Sequence, residues 1–130
     1  MDEITQNPFA PGVKHALFVP DQLVSGPLQL VTDTVTIAQA GKLKRGTVLG
    51  VVTDTQVYQA CKKSATDGSQ TPSAILADDV DTTEKKLTAG VYLMGEFNQH
   101  RLVIDESWSL TELKTALRPF AIFLRDSVQA

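Results

Sequence analysis

Residues 47–61 have the sequence TVLGVVTDTQVYQAC, in which two runs of strand-forming residues flank a short polar stretch. β-Branched and aromatic side chains favour strands because they pack well on a pleated sheet. The first run predicts a strand over residues 47–53. Residues 54–56 are polar and few, so the second run, residues 57–61, can return antiparallel as a hairpin. This hairpin is the element from which the rest of the predicted fold extends.

A further strand is predicted upstream of the hairpin. In residues 31–37, VTDTVTI, the positions Val31, Asp33, Val35 and Ile37 alternate with three threonines. An alternation with a period of two is typical of a strand that buries one face. We therefore expect this strand to be half-buried.

Downstream of the hairpin, short apolar runs alternate with polar connections. Residues 64–72 form a dense turn cluster, and residues 78–86 predict a charged surface loop. The predicted strands are residues 74–77, 89–97 and 121–124, and a turn at 98–100 leads from the second of them into the apolar run 101–104.

One helix is predicted near the C-terminus, over about residues 109–118. Ser109 and Glu112 have the spacing of a capping box, in which each side chain binds a free backbone amide. Pro119 ends the helix because proline has no amide hydrogen to donate. The fold class is therefore mixed α/β and β-rich, with short antiparallel strands and hairpins and one C-terminal helix. The apolar residues that repeat along one face of the helix are Leu110, Leu113 and Leu117.

The first 27 residues contain four of the six prolines of the chain. Proline removes an amide donor and biases the preceding residue toward extended backbone, which excludes a long helix in this segment. The segment also carries large apolar side chains, which a linker does not need. We therefore divide the chain into an extended N-terminal arm, residues 1–27, and a β-rich core, residues 28–130. The alternative interpretation of the arm is a disordered terminus without a binding role.

Composition excludes several functional classes. The chain has 130 residues and a net charge of −3, which fits one domain or one domain with a tail and argues against a general nucleic-acid binder. Cys61 is the only cysteine, so neither an intrachain disulfide nor a cysteine cluster for a metal can form. The sequence shows no secretory signal and no apolar stretch of membrane-spanning length. We expect a soluble protein that is made in the cytoplasm.

The residues that could form a catalytic, metal-binding or phosphate-binding site are all interpreted more simply as surface residues. His15 and His100 lack neighbouring ligands and are interpreted as surface side chains. The acidic stretch 78–84 lacks the glycine and distal glutamate of a calcium loop, so a solvated loop is favoured over a cation site. Residues 41–46, GKLKRG, lead into a strand, unlike a phosphate-binding loop, and their basic side chains either contact an acidic partner or remain in solvent. We therefore expect no enzyme, no cofactor, no metal and no small-molecule substrate.

The aromatic side chains follow strand or helix-end patterns, so core packing is the expected role for them. Trp108 directly precedes the helix cap. Its alternative role is a hydrophobic staple, which packs against the first turns of the helix, or an anchor in an interface. The residues concerned are Tyr92, Phe97, Trp108, Phe120 and Phe123.

The order and spacing of five segments resemble the head decoration proteins of tailed bacteriophages, the family of the lambda head decoration protein D. This resemblance implies a small mixed α/β fold that forms homotrimers and binds the major capsid protein at threefold positions of the expanded head. It implies that the protein stabilises the shell against internal DNA pressure on the virion exterior, after synthesis in the bacterial cytoplasm. It also implies an N-terminal arm that becomes ordered on the shell. The five segments are VTDTVTIA (31–38), LKRGTVLG (43–50), ATDGSQTPSAILADDVD (65–81), VYLMGEFN (91–98) and ALRPFAIFL (116–124).

An arm of this kind needs apolar anchors. Ordering an extended segment costs more backbone entropy than strand-type hydrogen bonds return, so buried side chains must supply the difference. The predicted capsid-binding residues of the arm are Phe9, Leu17, Phe18 and Val19.

Two alternatives stay open from the residues themselves. One is a different structural adaptor of the virion, in the tail or baseplate. The other is a soluble β-rich ligand-binding or carrier module. A biotinyl or lipoyl carrier needs an exposed lysine at a hairpin tip, and the tip at residues 54–56 has none.

Overall fold

The structure is a computed structural model that describes residues 23–126. Predictions that concern residues 1–22 and 127–130 therefore lie outside the described residues. The described strands are β1 (Val31–Ile37), β2 (Lys42–Leu43), β3 (Val48–Val51), β4 (Tyr58–Ala60), β5 (Ala74–Leu76), β6 (Val80–Asp81), β7 (Leu87–Asn98) and β8 (Ile122–Arg125), and the α-helix is α1 (Leu110–Leu117).

Five of these strands close into a barrel. β1 pairs with β7, β7 with β5, β5 with β3, and β3 with β4, all antiparallel. β4 returns to β1 through a parallel pair between Tyr58 and Ile37, which closes the ring. β8 extends the sheet from β7 as a parallel neighbour, and α1 lies in the crossover between them. The predicted β-rich fold with one C-terminal helix is confirmed, whereas the two parallel pairings were not predicted.

The hairpin at the centre of the sequence forms as expected. β3 and β4 pair antiparallel with Leu49 opposite Ala60, and the Gln56 amide donates to the Val52 carbonyl across the turn. At Gly50, a Cβ would collide with the Ser69 backbone, so the turn cluster can lie directly against β3 only because this position is glycine. The hairpin and the turn cluster therefore form one packed unit.

β5 and the first three residues of β3 are buried on both faces, because residues of α1 and β8 pack against one face and the second core cluster lies on the other. One core cluster, which contains Val48, Ile75 and Phe97, lies beneath α1 together with Leu113 and Leu117. A second cluster contains residues of the same strands that face the other way, namely Leu49, Ala74, Leu76 and Val91, together with Ile37 of β1. Adjacent residues of one strand thus belong to opposite clusters, as the alternation of side chains requires.

The expectation that β1 is half-buried is correct only for its C-terminal end. Val35 is partly buried and Ile37 fully buried, whereas Val31 is 39% exposed. β4 pairs with β1 only at Ile37, so the earlier residues of β1 have β7 as their strand partner and extend past the barrel. A period-two sequence pattern does not report how much of a strand the barrel covers.

The helix begins and ends where the sequence predicts. The Ser109 hydroxyl accepts the Glu112 amide hydrogen at 3.2 Å, and the Glu112 carboxylate accepts the Ser109 amide hydrogen at 3.2 Å. After Leu117 the chain continues as a 3-10 turn, Arg118–Phe120, that contains the proline. Ala121 then adopts left-handed backbone, with φ 60° and ψ 34°, and directs the chain into β8.

Core packing is confirmed for Phe97 and wrong for Phe120 and Phe123. Phe97 is fully buried, whereas Phe120 is 40% and Phe123 is 39% exposed. In β8, Ile122 and Leu124 face the core, so Phe123 between them faces outward. The apolar run 121–124 therefore has one buried and one exposed face.

Candidate functional site

The predicted arm residues Phe9, Leu17, Phe18 and Val19 lie outside the described residues, so their role stays a prediction. Part of the arm as defined above does lie within them. Leu23 is buried in the first core cluster, and its carbonyl accepts the Asn98 amide hydrogen at 2.7 Å. The Ser25 amide donates to the Glu96 carbonyl at 2.8 Å. Residues 23–25 thus run beside the end of β7 and join the arm to the core.

Within residues 23–126, no three His, Cys, Asp or Glu side chains lie close enough together to hold a metal ion. In the acidic stretch 78–84, Asp79 accepts the Arg45 amide hydrogen at 2.7 Å. Asp81 accepts the hydroxyl hydrogen of Thr83 at 2.5 Å and its amide hydrogen at 3.0 Å. These bonds from Thr83 lower the pKa of Asp81. The two carboxylates therefore stabilise the local loop.

One basic residue of the GKLKRG stretch has a structural role. Arg45 donates from Nη1 to the Ala77 carbonyl at 2.7 Å and to the Tyr92 hydroxyl at 3.0 Å. Its guanidinium also lies 5.6 Å from the centre of the Tyr92 ring. The interpretation that this side chain meets a partner or solvent is therefore wrong, because it ties a loop to β7. Lys42 and Lys44 are exposed, as expected.

The remaining polar candidates are also accounted for. His100 lies at the surface as predicted, where its Nε2 is 2.8 Å from Asp126 Oδ1, and this contact lowers the pKa of Asp126. Burial raises the pKa of the Cys61 thiol to about 11, which makes it a poor nucleophile at neutral pH. Trp108 packs against the first core cluster, with Lys63 Nζ 5.7 Å from its ring centre.

A groove at the outer edge of β8 combines exposed apolar and charged side chains. We call it the β8 groove. It has a volume of about 520 Å³ and is open to solvent. Its lining residues are Leu28, Glu96, Lys114, Arg118, Phe123, Leu124 and Arg125.

Glu96 lines this groove and holds residues 26–28 against it. Its side chain is only 13% exposed, and one carboxylate oxygen accepts the Leu28 amide hydrogen at 2.8 Å. The other oxygen accepts from Arg125 Nη1 at 2.5 Å. A Cβ at Gly26, where φ is 129°, would collide with this carboxylate. Residues 26–28 are therefore fitted closely around Glu96, which fixes the chain on the groove wall.

Sequence reasoning did not find the β8 groove, because its residues form no motif. The register of β7 and β8 places Phe123 beside Glu96, and tertiary folding brings Leu28 to the same place. The residues IFL (122–124) are an unbroken apolar run, so only the general rule that successive strand residues face opposite sides separates Phe123 from Ile122 and Leu124.

Comparison with known proteins places the chain in a protein family. In a search of curated proteins, none matches the chain. Among residues 23–126, no helix is long and apolar enough to cross a lipid bilayer. A protein-family model, described as bacteriophage lambda head decoration protein D, matches residues 13–123. This match begins in the arm and ends in β8, and so covers most of the chain. The chain belongs to the family of the bacteriophage lambda head decoration protein D.

Proposed function

We propose that this chain binds as a homotrimer at threefold sites of the expanded phage head and stabilises the shell against internal DNA pressure. The observation that carries the proposal is the family match over residues 13–123. The family consists of structural proteins on the exterior of the phage capsid, which gives the chain a role in head decoration. The major capsid protein is the partner that such a role requires.

The proposed mechanism needs no chemical reaction. A protein that binds the expanded shell and not its precursor stabilises the expanded state by mass action. A single extended arm binds weakly because ordering it costs backbone entropy. Three arms on one trimer bind together with a high effective concentration, so the whole trimer holds tightly.

The described core supports this mechanism by giving the arm a fixed origin. Leu23 is buried, and the bonds from Asn98 and to Glu96 hold residues 23–25 beside β7. The closed barrel provides a rigid support for that origin, since its strands pair around the full ring. A load on the arm is therefore transmitted to the barrel through backbone hydrogen bonds.

The direct test of the arm is its removal. Deleting residues 1–20 should abolish binding to expanded shells in co-sedimentation, while circular dichroism and urea unfolding show an intact core. In the full chain, Phe9→Ser/Leu17→Ser/Phe18→Ser/Val19→Ser should weaken binding by more than about 100-fold, because each fully buried large apolar side chain contributes about 1.5–3 kcal/mol.

The matched control changes polar residues of the same segment. Thr5→Ala/Gln6→Ala should bind shells as tightly as the unaltered chain. Full retention of binding by the deletion variant would refute the arm mechanism. Stabilisation is measured on the same samples, since shells that carry the chain should survive heating that disrupts bare shells.

A further inference from the structure

We propose that the β8 groove is a second contact with the capsid shell, which binds an acidic segment of the shell subunit that also carries an apolar side chain. This inference rests on the proposed function, since it assumes that the arm binds the shell. It assigns a partner chemistry to a surface of the core rather than to the arm.

Part of the groove lining is apolar, namely Leu28, Phe123 and Leu124. Phe123 is 39% exposed on the outward face of β8, and Leu28 is only partly buried beside it. An exposed phenylalanine next to a leucine in a concave surface of about 520 Å³ is suited to receive an apolar side chain from a partner.

The charge of the groove is positive. Lys114 and Arg118 are exposed and stand four residues apart, which places them on the same side of the helix and its end. The side chains of both residues form neither a hydrogen bond nor a salt bridge within residues 23–126. Asp126, which interacts with Lys114 electrostatically, is hydrogen-bonded to His100 and Gln99.

Among residues 23–126, Glu96 is the one carboxylate that lines the groove, and it does not offset these charges. Both oxygens of Glu96 are occupied, one by the Leu28 amide and the other by Arg125. Lys114 and Arg118 therefore remain available to a carboxylate from outside, in a chain whose net charge is negative. Electrostatic complementarity selects an acidic partner.

The position of the groove favours the shell over a second copy of this chain. The described chain begins at Leu23, and Leu28, five residues later, lies in the groove wall. Five residues span at most about 18 Å, so Leu23, the first described residue, lies within about 18 Å of the groove wall at Leu28. A shell that holds the arm is thus adjacent to the groove, and the two surfaces form a continuous contact.

The test reverses the charge of the groove in the full chain. Lys114→Glu/Arg118→Glu should weaken co-sedimentation with expanded shells at least tenfold. The control, Lys85→Glu/Lys86→Glu, makes the same charge change at two exposed positions. These residues immediately precede Leu87, the first residue of β7, whereas β8 pairs with the last residues of that strand. The control should change binding less than twofold. The neutral pair Lys114→Gln/Arg118→Gln should give an intermediate loss, without the repulsion between added carboxylates and the helix C-terminus.

The apolar part of the groove is tested separately by Phe123→Thr, which keeps a strand-forming residue and should also weaken binding at least tenfold. Sedimentation velocity and urea unfolding of every variant report assembly and folding. Binding of the groove variants at the unaltered strength, with arm deletion still abolishing it, would overturn this inference and leave the proposed function in place. Loss of the trimer in the groove variants would overturn it by assigning the groove to a second copy. Absence of shell binding by the unaltered chain would refute the proposed function as well.

Discussion

At the residue scale, Ala121 is, with Gln56, one of two described residues other than glycine with a positive φ. Its φ of 60° and ψ of 34° lie in the left-handed region, which an L-residue with a Cβ occupies at a cost of about 1–2 kcal/mol. The flanking elements impose this conformation. Ala121 connects the 3-10 turn Arg118–Phe120 to β8, which must pair in parallel with β7. The tertiary fold therefore overrides the preference of this residue.

Ala121→Gly should increase the free energy of unfolding by about 0.5–1 kcal/mol, because glycine adopts positive φ freely and the unfolded-state entropy cancels part of the gain. Urea unfolding followed by circular dichroism measures the change. The same replacement inside the helix, Ala116→Gly, should decrease the free energy by about 0.5–1 kcal/mol. A decrease for both variants would show that Ala121 is not strained.

At the element scale, the capping box explains why α1 begins at Leu110. Ser109 and Glu112 each satisfy a backbone amide of the other, and Glu112 also forms a salt bridge with Lys63. Bonds from Lys63 and Ser109 lower the pKa of Glu112. The cap therefore ties the first turn of the helix to the loop that follows β4.

Ser109→Ala should decrease the free energy of unfolding by about 1 kcal/mol, because an amide at the helix N-terminus loses its partner. The change is measured by thermal or urea unfolding. Ser64→Ala, at an exposed turn serine, is the matched control and should change stability by less than about 0.5 kcal/mol. Equal stability of both variants would show that the cap contributes nothing.

Most elements were predictable because their signals are local. Strong period-two runs, the capping box and the proline after the helix each depend on neighbouring residues. The pairing of β4 with β1 and of β8 with β7 was not predictable, because both parallel contacts depend on how distant elements close the barrel. The two-residue strands β2 and β6 were also missed, since Lys42–Leu43 and Val80–Asp81 are too short to show a period.

At the scale of the whole molecule, the candidate surface was less predictable than the fold. The expectation that Phe9, Leu17, Phe18 and Val19 anchor the arm stays a prediction, since these residues lie outside the described part of the chain. The β8 groove depends on a hydrogen bond between Leu28 and Glu96, which are 68 positions apart in the chain. No local sequence pattern encodes such a contact. The apolar strand pattern around Phe123 predicts a core residue, whereas its side chain lines the β8 groove.

The whole molecule, as described over residues 23–126, combines a closed barrel, a segment (residues 23–28) that is held beside β7, and a groove at the same place. Among residues 23–126, no three His, Cys, Asp or Glu side chains lie close enough together to hold a metal ion. The function that we propose for this organisation is attachment to the capsid shell at several points. Its strength comes from the number of contacts made together.

The measurement that tests this account most directly is co-sedimentation of the full chain with shells of its capsid protein before and after expansion. The account predicts saturable binding to expanded shells, at a stoichiometry near one chain per shell subunit, and no binding to unexpanded shells. Equal binding to both forms would contradict stabilisation of the expanded state. Absence of binding to either form, with a folded sample, would contradict the decoration function itself.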